Sequence, residues 1–332
     1  MAPLTKSAIS KPGKPFEPLV AANDNRPMAV IDGETLFNIE FPPVDFVIPQ
    51  YITEGLTILA GRPKLGKSWL ALGMCIAVAT GGNVLGEDCD QGDALYLALE
   101  DNQRRLHDRL RVVCPPQMSR PNLGRVSFQT TAPLVGSGLI EHLNGWRQSV
   151  ENPKLIVIDT LAKVRPPKKG NQDNYSADYA AIVPLQEFAL EHRLAVVVVH
   201  HVRKMEADDP LEAVSGTNGL TGAADTTMVL DRRSDGPKLY ARGRDIEEVD
   251  KALKFDQGVW SVLGNADDVK QSEQRLKIIE VLSDAVGVMM PSEIAKEANL
   301  SPGSVRHLLG RMVKDGKVEK STLGAHYKLV GR

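Results

Sequence analysis

Residues 61–68 read GRPKLGKS and fit the pattern G-x-x-x-x-G-K-[ST] in full. Glycines let backbone N–H groups approach phosphate oxygens that a side chain would block. In such a loop Lys67 can reach the β and γ phosphates, and Ser68 can ligate Mg²⁺. A chance glycine turn is the alternative. The residues predicted to bind ATP are Gly61, Arg62, Pro63, Lys64, Leu65, Gly66, Lys67, Ser68 and Trp69.

Two apolar stretches end in carboxylates. LIVIDT carries Asp159 to the end of a strand, where it can hold Mg²⁺ through water beside the phosphate loop. LYLALED ends in Glu100, which can accept a proton from the water that attacks the γ phosphate. The alternatives are that Asp159 only caps a strand and that Glu100 is a surface acid. Asp101 could equally cap the helix predicted near Gln103.

The stretch AVVVVHHVRK brings His200 and His201 to the end of another strand. An imidazole there can hydrogen-bond the γ phosphate or the catalytic glutamate, and so sense hydrolysis. Adjacent residues on a strand point to opposite faces, so the pair cannot easily share one metal. One of the two is predicted to be the sensor, without a preference between them, and core packing is the alternative.

The stretch KLYARGRD places Arg242 and Arg244 on either side of Gly243, so both can face the same way. A guanidinium near a transferring phosphate stabilises developing negative charge. These arginines are therefore candidates for an arginine finger that reaches the ATP of a neighbouring subunit. The alternative is a solvated basic strand edge.

Six apolar stretches predict strands that are buried on both faces, as parallel strands between helices must be. They are LTILA (56–60), ALYLAL (94–99), VSFQT (126–130), LIVIDT (155–160), AVVVV (195–199) and TTMVLD (226–231). Helical patterns fall between them at 67–79, 103–113, 138–150 and 177–191. This order predicts an α/β domain with a mostly parallel sheet at 44–264, ending in hairpins with a turn at residues 256–258.

Both flanks differ from this pattern. Residues 1–43 hold seven of the 21 prolines, which predicts a largely disordered segment with an ordered end near 44–48. Residues 270–332 predict three helices and a hairpin, a winged helix-turn-helix. Ser292 and Ser301 are predicted helix caps, and Pro302 suits a first helical position.

The composition limits the partners. The net charge is −2, so any nucleic-acid site must be local. The sequence has no run of about 18 apolar residues and no signal pattern, so no membrane partner is predicted. The three cysteines show no CxxC spacing and predict reduced thiols in a cytoplasmic protein.

Taken in order, the phosphate loop, LYLALED, LIVIDT and VVVVHHVRK resemble a RecA-like ATPase. Together with SGTNGLTGAADTTMVLDR, they resemble in particular the RepA-type branch of plasmid and phage hexameric replicative helicases. The resemblance covers residues 44–264. It implies a hexameric ring with ATP between subunits, Glu100 as the base, and Arg242 and Arg244 acting in trans. It also implies single-stranded DNA in a central channel.

In that branch, the loops after the Asp159 strand and after the histidine strand line the channel. The first loop is basic here, as phosphate contacts require, through Lys163, Arg165, Lys168 and Lys169. The second loop begins with acidic residues, which do not favour contact with DNA phosphates. These residues are Glu206, Asp208, Asp209 and Glu212. The aromatics placed to stack on bases are Tyr175 and Tyr179, which can belong to the next helix. A solvated first loop is the alternative.

The C-terminal 63 residues, 270–332, carry 11 Lys and Arg against 7 Asp and Glu. The helix that starts at Pro302 and the following wing are predicted to touch duplex DNA. The residues concerned are Arg306, His307, Arg311, Lys314, Lys320 and Lys328. A winged helix used for protein contacts is the alternative.

These features predict a Mg²⁺-dependent ring ATPase that acts as a DNA helicase or translocase in plasmid or phage replication. A second hypothesis is a DNA-binding regulator whose oligomeric state is set by ATP. A small-molecule kinase is a weaker third, because the sequence shows no obvious arginine-rich lid.

Overall fold

The computed structural model describes residues 30–115, 121–167, 173–202, 210–211, 214, 219–233, 236–285, 287–321 and 324–330. The strands are β1 (Phe46–Ile48), β2 (Ile52–Thr53), β3 (Gly55–Gly61), β4 (Asn83–Val84), β5 (Glu87–Asp88), β6 (Asp93–Ala98), β7 (Val126–Gln129), β8 (Pro153–Asp159), β9 (Ala195–His201), β10 (Thr226–Arg233), β11 (Gly236–Gly243), β12 (Val249–Asp256), β13 (Val259–Asn265), β14 (Val318–Lys320) and β15 (Tyr327–Leu329). The helices are α1 (Gly33–Phe37), α2 (Lys67–Thr80), α3 (Gln103–Val113), α4 (Leu139–Ser149), α5 (Leu161–Val164), α6 (Asn174–Glu191), α7 (Gly219–Ala223), α8 (Ala266–Asp284), α9 (Pro291–Glu297) and α10 (Pro302–Lys314).

The central sheet has nine strands in the order β13-β12-β11-β10-β3-β9-β8-β6-β7. Six neighbouring strands run parallel: β10, β3, β9, β8, β6 and β7. Strands β11, β12 and β13 extend the sheet beyond β10 as antiparallel hairpins. The parallel strands are those predicted from the apolar stretches, so the mostly parallel α/β architecture is confirmed. The turn predicted at residues 256–258 is also present, with positive φ at Gln257 and Gly258.

Alternate residues of each central strand face two different hydrophobic cores. In β3, Leu59 packs with α2 residues in one core, whereas Leu56 and Ile58 pack with α6 residues in the other. Burial on both faces explains the continuous apolar stretches in the sequence. It also fixes the ends of these strands in space, because each strand is held from both sides.

The two ends of the parallel strands define two edges of the sheet. At the carboxyl edge, Gly61 pairs with His201, and Ala98 pairs with Asp159. At the amino edge, the strands begin, and β10 follows directly after Asp225. Strand β11 runs antiparallel to β10, so its late residues lie near the amino edge. The two edges carry different chemistry.

The winged helix-turn-helix forms a small core of its own. Helices α8, α9 and α10 contribute Ile278, Ile294 and Leu308 to it, and the β14–β15 hairpin adds Val318. Ser301 caps α10 and Pro302 occupies its first turn, as predicted. The predicted cap at Ser292 is wrong. Helix α9 begins at Pro291, and its N-cap is Met290, two residues before Ser292, with Glu293 accepting from the Met290 N–H.

The predicted disorder at residues 1–43 falls mainly on residues 1–29, which lie outside the described residues. Residues 33–37 form α1, which has no buried residue. The predicted docking near residues 44–48 is confirmed, because Val47 and Ile48 are buried in the core that contains α2. Among the described helices, none is long and apolar enough to cross a membrane.

Candidate active site

The phosphate loop connects β3 to α2 at the carboxyl edge. Its two glycines are required by close contacts and by the backbone. A Cβ on Gly61 would lie 2.4 Å from the carbonyl oxygen of Leu230. Gly66 has a φ of +97° and is the N-cap of α2, so no side chain caps this helix. The helix N-terminus therefore keeps its N–H groups and positive dipole end available for an anion.

Lys67 lies in the first turn of α2 and is folded back into the loop. Its side chain is buried, and its Nζ donates to the carbonyls of Gly61 (2.7 Å) and Arg62 (2.8 Å). The same atom lies 2.9 Å from Nδ1 of His201. Burial lowers the pKa of Lys67 to about 8, against the opposing effect of Asp159 and Glu100. The Lys67 ammonium is thus held near the phosphate loop by uncharged acceptors, two carbonyls and one imidazole nitrogen.

Asp159 ends β8 and is only 3% exposed. Its Oδ2 accepts a hydrogen bond from the Tyr96 hydroxyl at 2.8 Å, but its buried Oδ1 accepts none from the described residues. Burial raises the pKa of this carboxyl, and the Ser68 and Tyr96 hydroxyls oppose that effect. An open carboxylate oxygen beside a serine hydroxyl fits Mg²⁺, which prefers oxygen ligands. The predicted metal pair is therefore brought together.

Glu100 lies two residues after β6, which ends at Ala98 rather than directly before the glutamate. Its Oε1 accepts from the Thr160 hydroxyl at 3.1 Å, and its Oε2 lies 3.4 Å from Nε2 of His201. The side chain is 43% exposed and faces the cavity beside the phosphate loop. A carboxylate that is oriented but open to water suits a general base.

Asp101 does not compete for this role. Asn102, not Asp101, caps α3, so the predicted alternative for Asp101 is wrong. The carboxylate of Asp101 is instead buried in ion pairs with Arg105 at 2.8 Å and Arg109 at 2.5 Å. Because both its oxygens are engaged, Asp101 braces the start of α3 and leaves Glu100 as the available acid.

The two histidines point to opposite faces of β9, as adjacent strand residues must. His201 contacts both Lys67 and Glu100. Because Lys67 is a donor, Nδ1 of His201 accepts, which places the imidazole proton on Nε2 toward Glu100. His200 faces away, in the field of Asp178 and Arg165, and burial lowers its pKa to about 4. The geometry therefore separates two residues that the sequence left equivalent.

Arg242 and Arg244 are not near the phosphate loop of their own chain. Arg242 lies opposite Thr227, at the start of β10, and both arginines are exposed. Nη1 of Arg244 pairs with Oδ1 of Asp225 at 3.1 Å. The structure brings Lys67, Ser68, Asp159, Glu100 and His201 together and leaves these arginines at the amino edge.

A cavity of about 820 Å³ adjoins the phosphate loop and reveals residues that the sequence did not single out. Its wall includes Arg109 of α3 and a group from the late strands: Arg232, Pro237, Leu253, Lys254, Phe255, Trp260 and Leu263. Tyr96 and Thr160 are further contacts of the carboxylates. No motif marks these positions. The sequence offered one clue to them: the aromatic residues Phe255 and Trp260 lie on either side of the predicted turn.

The predicted DNA-contacting loops are described only in part. Lys163 and Arg165 are described, and Arg165 is paired with Asp178 at 2.6 Å. Tyr175 and Tyr179 lie on α6, as anticipated. Their rings stack on each other 6.0 Å apart and are exposed. The remaining predicted loop residues lie outside the described residues: Lys168, Lys169, Glu206, Asp208, Asp209 and Glu212.

On the winged helix, the predicted basic residues of α10 are all exposed: Arg306, His307, Arg311 and Lys314. Lys320 on the wing is exposed too, whereas Lys328 pairs with Glu319 at 2.9 Å. The helix thus presents a positive face, because its apolar side, with Val305 and Leu309, is buried in the small core.

Two protein families match this chain. Residues 23–207 match the AAA domain family, and residues 271–319 match the family of winged helix-turn-helix DNA-binding domains. The first match spans more than half of the 332 residues.

Three solved structures are similar at low identity. One, an ATPase domain, is 15% identical, with a TM-score of 0.51 over 63% of this chain and 85% of that chain. A DnaB-like replicative helicase, solved for its interactions with primase, is 14% identical, with a TM-score of 0.49 over 64% of this chain and 57% of that one. A KaiC-like protein from Pyrococcus horikoshii OT3 is 13% identical, with a TM-score of 0.45 over 65% and 93%. The likeness to the first of these, the ATPase domain, shows the fold.

Proposed function

This chain belongs to the AAA domain family and has a RecA-like P-loop ATPase fold with a C-terminal winged helix, and from that premise we propose a specific role. It is a Mg²⁺-dependent ring ATPase that acts as a DNA helicase or translocase in plasmid or phage replication. One observation carries the proposal of hydrolysis. Lys67, the open oxygen of Asp159, Glu100 and His201 converge at the carboxyl edge beside one cavity.

The phosphate loop and Lys67 bind the triphosphate. The backbone N–H groups before α2 point at phosphate oxygens, and Lys67 exchanges its neutral carbonyl acceptors for charged ones. Ser68 and Asp159 would hold Mg²⁺, which when bound neutralises charge on the phosphate oxygens. The open Oδ1 of Asp159 is the acceptor that would help to hold such an ion.

Glu100 accepts the proton of the attacking water. Its Oε1 is oriented by Thr160, and its exposed position lets water reach the carboxylate. His201 bridges Glu100 and Lys67, so a change at the γ phosphate alters both contacts of one imidazole. We assign His201 as the residue that reports hydrolysis to β9 and the loop that follows it.

The position of the arginines supports the proposal of a ring. Arg242 and Arg244 lie at the amino edge, at the other end of the sheet from their own phosphate loop. If Arg242 or Arg244 stabilises a transferring phosphate, it must therefore do so in the site of a neighbouring chain. A hexamer with ATP between subunits, as the sequence resemblance implies, meets this requirement.

The DNA contacts are assigned to two places. Lys163 and the stacked pair Tyr175 and Tyr179 offer charge and ring faces to single-stranded DNA in the channel. The exposed basic face of α10 offers Arg306 and Arg311 to duplex DNA. The match to winged helix-turn-helix DNA-binding domains supports the second assignment.

ATP hydrolysis by the full-length chain tests the proposal. Lys67→Ala is expected to abolish binding and hydrolysis, because it removes the buried cation from the loop. Lys154→Ala is the matched control, since Lys154 pairs with Asp45 away from the site. Equal hydrolysis by the wild type and Lys67→Ala would contradict the proposed site.

Mixed rings test the arginines. A subunit with Arg242→Ala still has an intact phosphate loop. A subunit with Lys67→Ala still has both arginines, Arg242 and Arg244. Each variant alone is expected to be inactive, and a mixture of the two is expected to recover part of the activity. No recovery in co-assembled rings, verified by particle mass, would rule out action across the interface.

A second candidate function is an ATP-controlled DNA-binding regulator. The positive face of α10 favours it, since that face could read one duplex site. Unwinding of a forked substrate with ATP supports the helicase. Tight binding to one duplex sequence, with no unwinding, supports the regulator.

A further inference from the structure

Tyr96 places a hydroxyl inside a stretch of strand that is otherwise apolar. The residue lies in β6 within ALYLA (94–98), and every residue of this stretch is buried. The Tyr96 ring is fully buried in the core that contains α2, and its centroid lies 6.1 Å from that of Phe128 in β7. A buried hydroxyl is destabilising unless it has a hydrogen-bond partner. The partner of this hydroxyl is therefore informative.

The Tyr96 hydroxyl contacts two elements of the nucleotide site. It lies 2.8 Å from Oδ2 of Asp159, at the end of β8, and 3.3 Å from the carbonyl oxygen of Ser68, in the first turn of α2. A phenol has one proton to donate, so the shorter contact, to the carboxylate, is the main hydrogen bond. One buried atom thus connects the strand and the helix that carry the two predicted Mg²⁺ ligands.

This contact determines which oxygen of Asp159 is open. Oδ2 accepts from Tyr96, whereas Oδ1, beside the Ser68 hydroxyl, has no hydrogen-bond partner among the described residues. The torsion that turns a carboxylate has broad minima, so the group rotates easily unless one oxygen is held. Because the Tyr96 ring is packed on both sides of its strand position, its hydroxyl holds Oδ2 and keeps the open oxygen facing one way.

A second buried tyrosine shows that burial alone does not produce this arrangement. Tyr51 is 1% exposed and belongs to the same core. Its hydroxyl lies 3.5 Å from the carbonyl oxygen of Leu85, an uncharged acceptor in the turn between β4 and β5. A hydrogen bond of that length is weak. Of these two hydroxyls, only that of Tyr96 donates to a carboxylate.

We propose that Tyr96 is a positioning residue of the nucleotide site: its hydroxyl orients Asp159 so that the open oxygen and the Ser68 hydroxyl receive Mg²⁺ together. This inference rests on the proposed ATPase function. It adds a residue that the phosphate-loop motif does not contain and that acts only through Asp159. A group that hydrogen-bonds a metal ligand fixes its direction, and loss of such a group weakens metal binding roughly 10- to 100-fold.

ADP binding to the full-length protein, measured by calorimetry in Mg²⁺ and in EDTA, tests this role without turnover. The ratio of the two affinities reports how strongly the bound metal is held. Tyr96→Phe keeps the ring and removes the hydroxyl, so it is expected to lower this ratio roughly tenfold. Its ADP affinity in EDTA is expected to stay within about twofold of the wild type, because the phosphate loop is intact.

The matched control is Tyr51→Phe, which removes the other buried hydroxyl from the same core. Its affinity ratio is expected to stay within about twofold of the wild type, because the Tyr51 hydroxyl does not contact a predicted metal ligand. An equal loss of the ratio in Tyr51→Phe and Tyr96→Phe would overturn the proposal, since it would reflect a general disturbance of the core.

A double substitution tests whether Tyr96 acts through Asp159. Asp159→Asn alone is expected to lower the affinity ratio, because it removes the carboxylate that faces the metal. Adding Tyr96→Phe to Asp159→Asn is expected to change the ratio by less than about twofold, because the group to be oriented is already gone. A further loss of roughly tenfold in the double variant would overturn the positioning role, because the two effects would then be independent.

The remaining outcomes separate this role from core filling and from failure of the site. If Tyr96→Phe lowers the unfolding midpoint but keeps the wild-type affinity ratio, the proposal is wrong although the ATPase site stands. If the wild type binds ADP in neither buffer, the proposed function fails and this role fails with it. Should Tyr96→Phe not fold, Tyr96→Met also fills the core without a hydroxyl, and the same loss of the ratio is expected. A wild-type ratio in a folded Tyr96→Met variant would equally overturn the proposal.

Discussion

Two buried aspartates mark the two edges of the central sheet, and they differ in how their oxygens are satisfied. At the amino edge, Asp225 is 7% exposed; it accepts from the Leu56 N–H at 2.8 Å, the Gln186 amide at 2.8 Å and Arg244 at 3.1 Å. At the carboxyl edge, Asp159 is 3% exposed; its Oδ2 accepts from the Tyr96 hydroxyl at 2.8 Å, whereas its Oδ1, beside the Ser68 hydroxyl that opposes the rise in its pKa, has no hydrogen-bond partner among the described residues.

The difference shows how one fold separates stability from chemistry. A buried carboxylate with all its acceptors used is part of the framework, because removing its partners would leave a costly unpaired group. A buried carboxylate with an open oxygen is destabilising unless something else binds there. The sheet thus places a completed polar network at one edge and an incomplete one at the other, where the phosphate loop lies.

The largest expected effect concerns Glu100 at the carboxyl edge. Glu100→Gln keeps the shape of the side chain but removes the base, so hydrolysis should fall roughly 100- to 10,000-fold. ATP binding should persist. A matched control is Glu151→Gln, since Glu151 is exposed near Arg125 and far from the loop. Equal steady-state hydrolysis by Glu100→Gln and the wild type would show that Glu100 is not the base.

Matched substitutions of the two aspartates sharpen the comparison most directly. Asp225→Asn must turn an NH₂ group toward the donors Leu56 N–H, Gln186 or Arg244, so it should lower the free energy of unfolding by about 2 kcal/mol. Asp159→Asn can place its NH₂ group on the open side and should leave that free energy unchanged or raise it. Denaturant unfolding without nucleotide measures both. Equal destabilisation would break the distinction between the edges.

The histidines give a smaller effect within one strand. His201→Ala removes contacts to Lys67 and Glu100 and should lower the hydrolysis rate about tenfold, which is the loss expected for one hydrogen bond to a charged group. His200→Ala should lower it less, because His200 faces Asp178 and Arg165 on the other side of β9. Single-turnover hydrolysis checks the order. The reverse order would exclude His201 as the sensor.

The smallest effect is a pH dependence from Lys67. The ammonium form binds phosphate, and burial lowers the pKa of Lys67 to about 8 in the free protein. Lys67 is therefore protonated below pH 8 and loses its charge as the pH rises through that value. ATP affinity should be flat below about pH 7 and fall above about pH 8 by at most about tenfold per pH unit, the limit for one proton. The Lys67→Arg variant keeps its positive charge over this range and should lack the step, and a step retained in it would assign the titration elsewhere.

Local patterns in the sequence predict most of the carboxyl edge. The parallel strands are visible as apolar stretches because both of their faces are buried, and the loop motif requires glycine at 61 and 66 for steric reasons. The choice between His200 and His201 was not predictable, because strand periodicity fixes that the two faces differ but not which face meets the loop.

The aromatic residues of the cavity wall were missed for a different reason. Trp260 contacts Gly66 across 194 residues of sequence, and only the assembled nine-stranded sheet brings them together. The alternative that Asp101 caps α3 was wrong because Asp101 and Asn102 both suit an N-cap, and the ion pairs of Asp101 with Arg105 and Arg109 decide between them. Long-range contacts of this kind leave no local pattern.

One measurement tests the central claim most directly: calorimetric ATP binding to the full-length protein as Mg²⁺ is added, for the wild type and Asp159→Asn. If the open oxygen of Asp159 awaits a metal ion, Mg²⁺ should raise the ATP affinity of the wild type and have much less effect on the variant. The same Mg²⁺ response in both proteins, or no ATP binding by the wild type, would contradict the assignment of the carboxyl edge as the site of ATP hydrolysis.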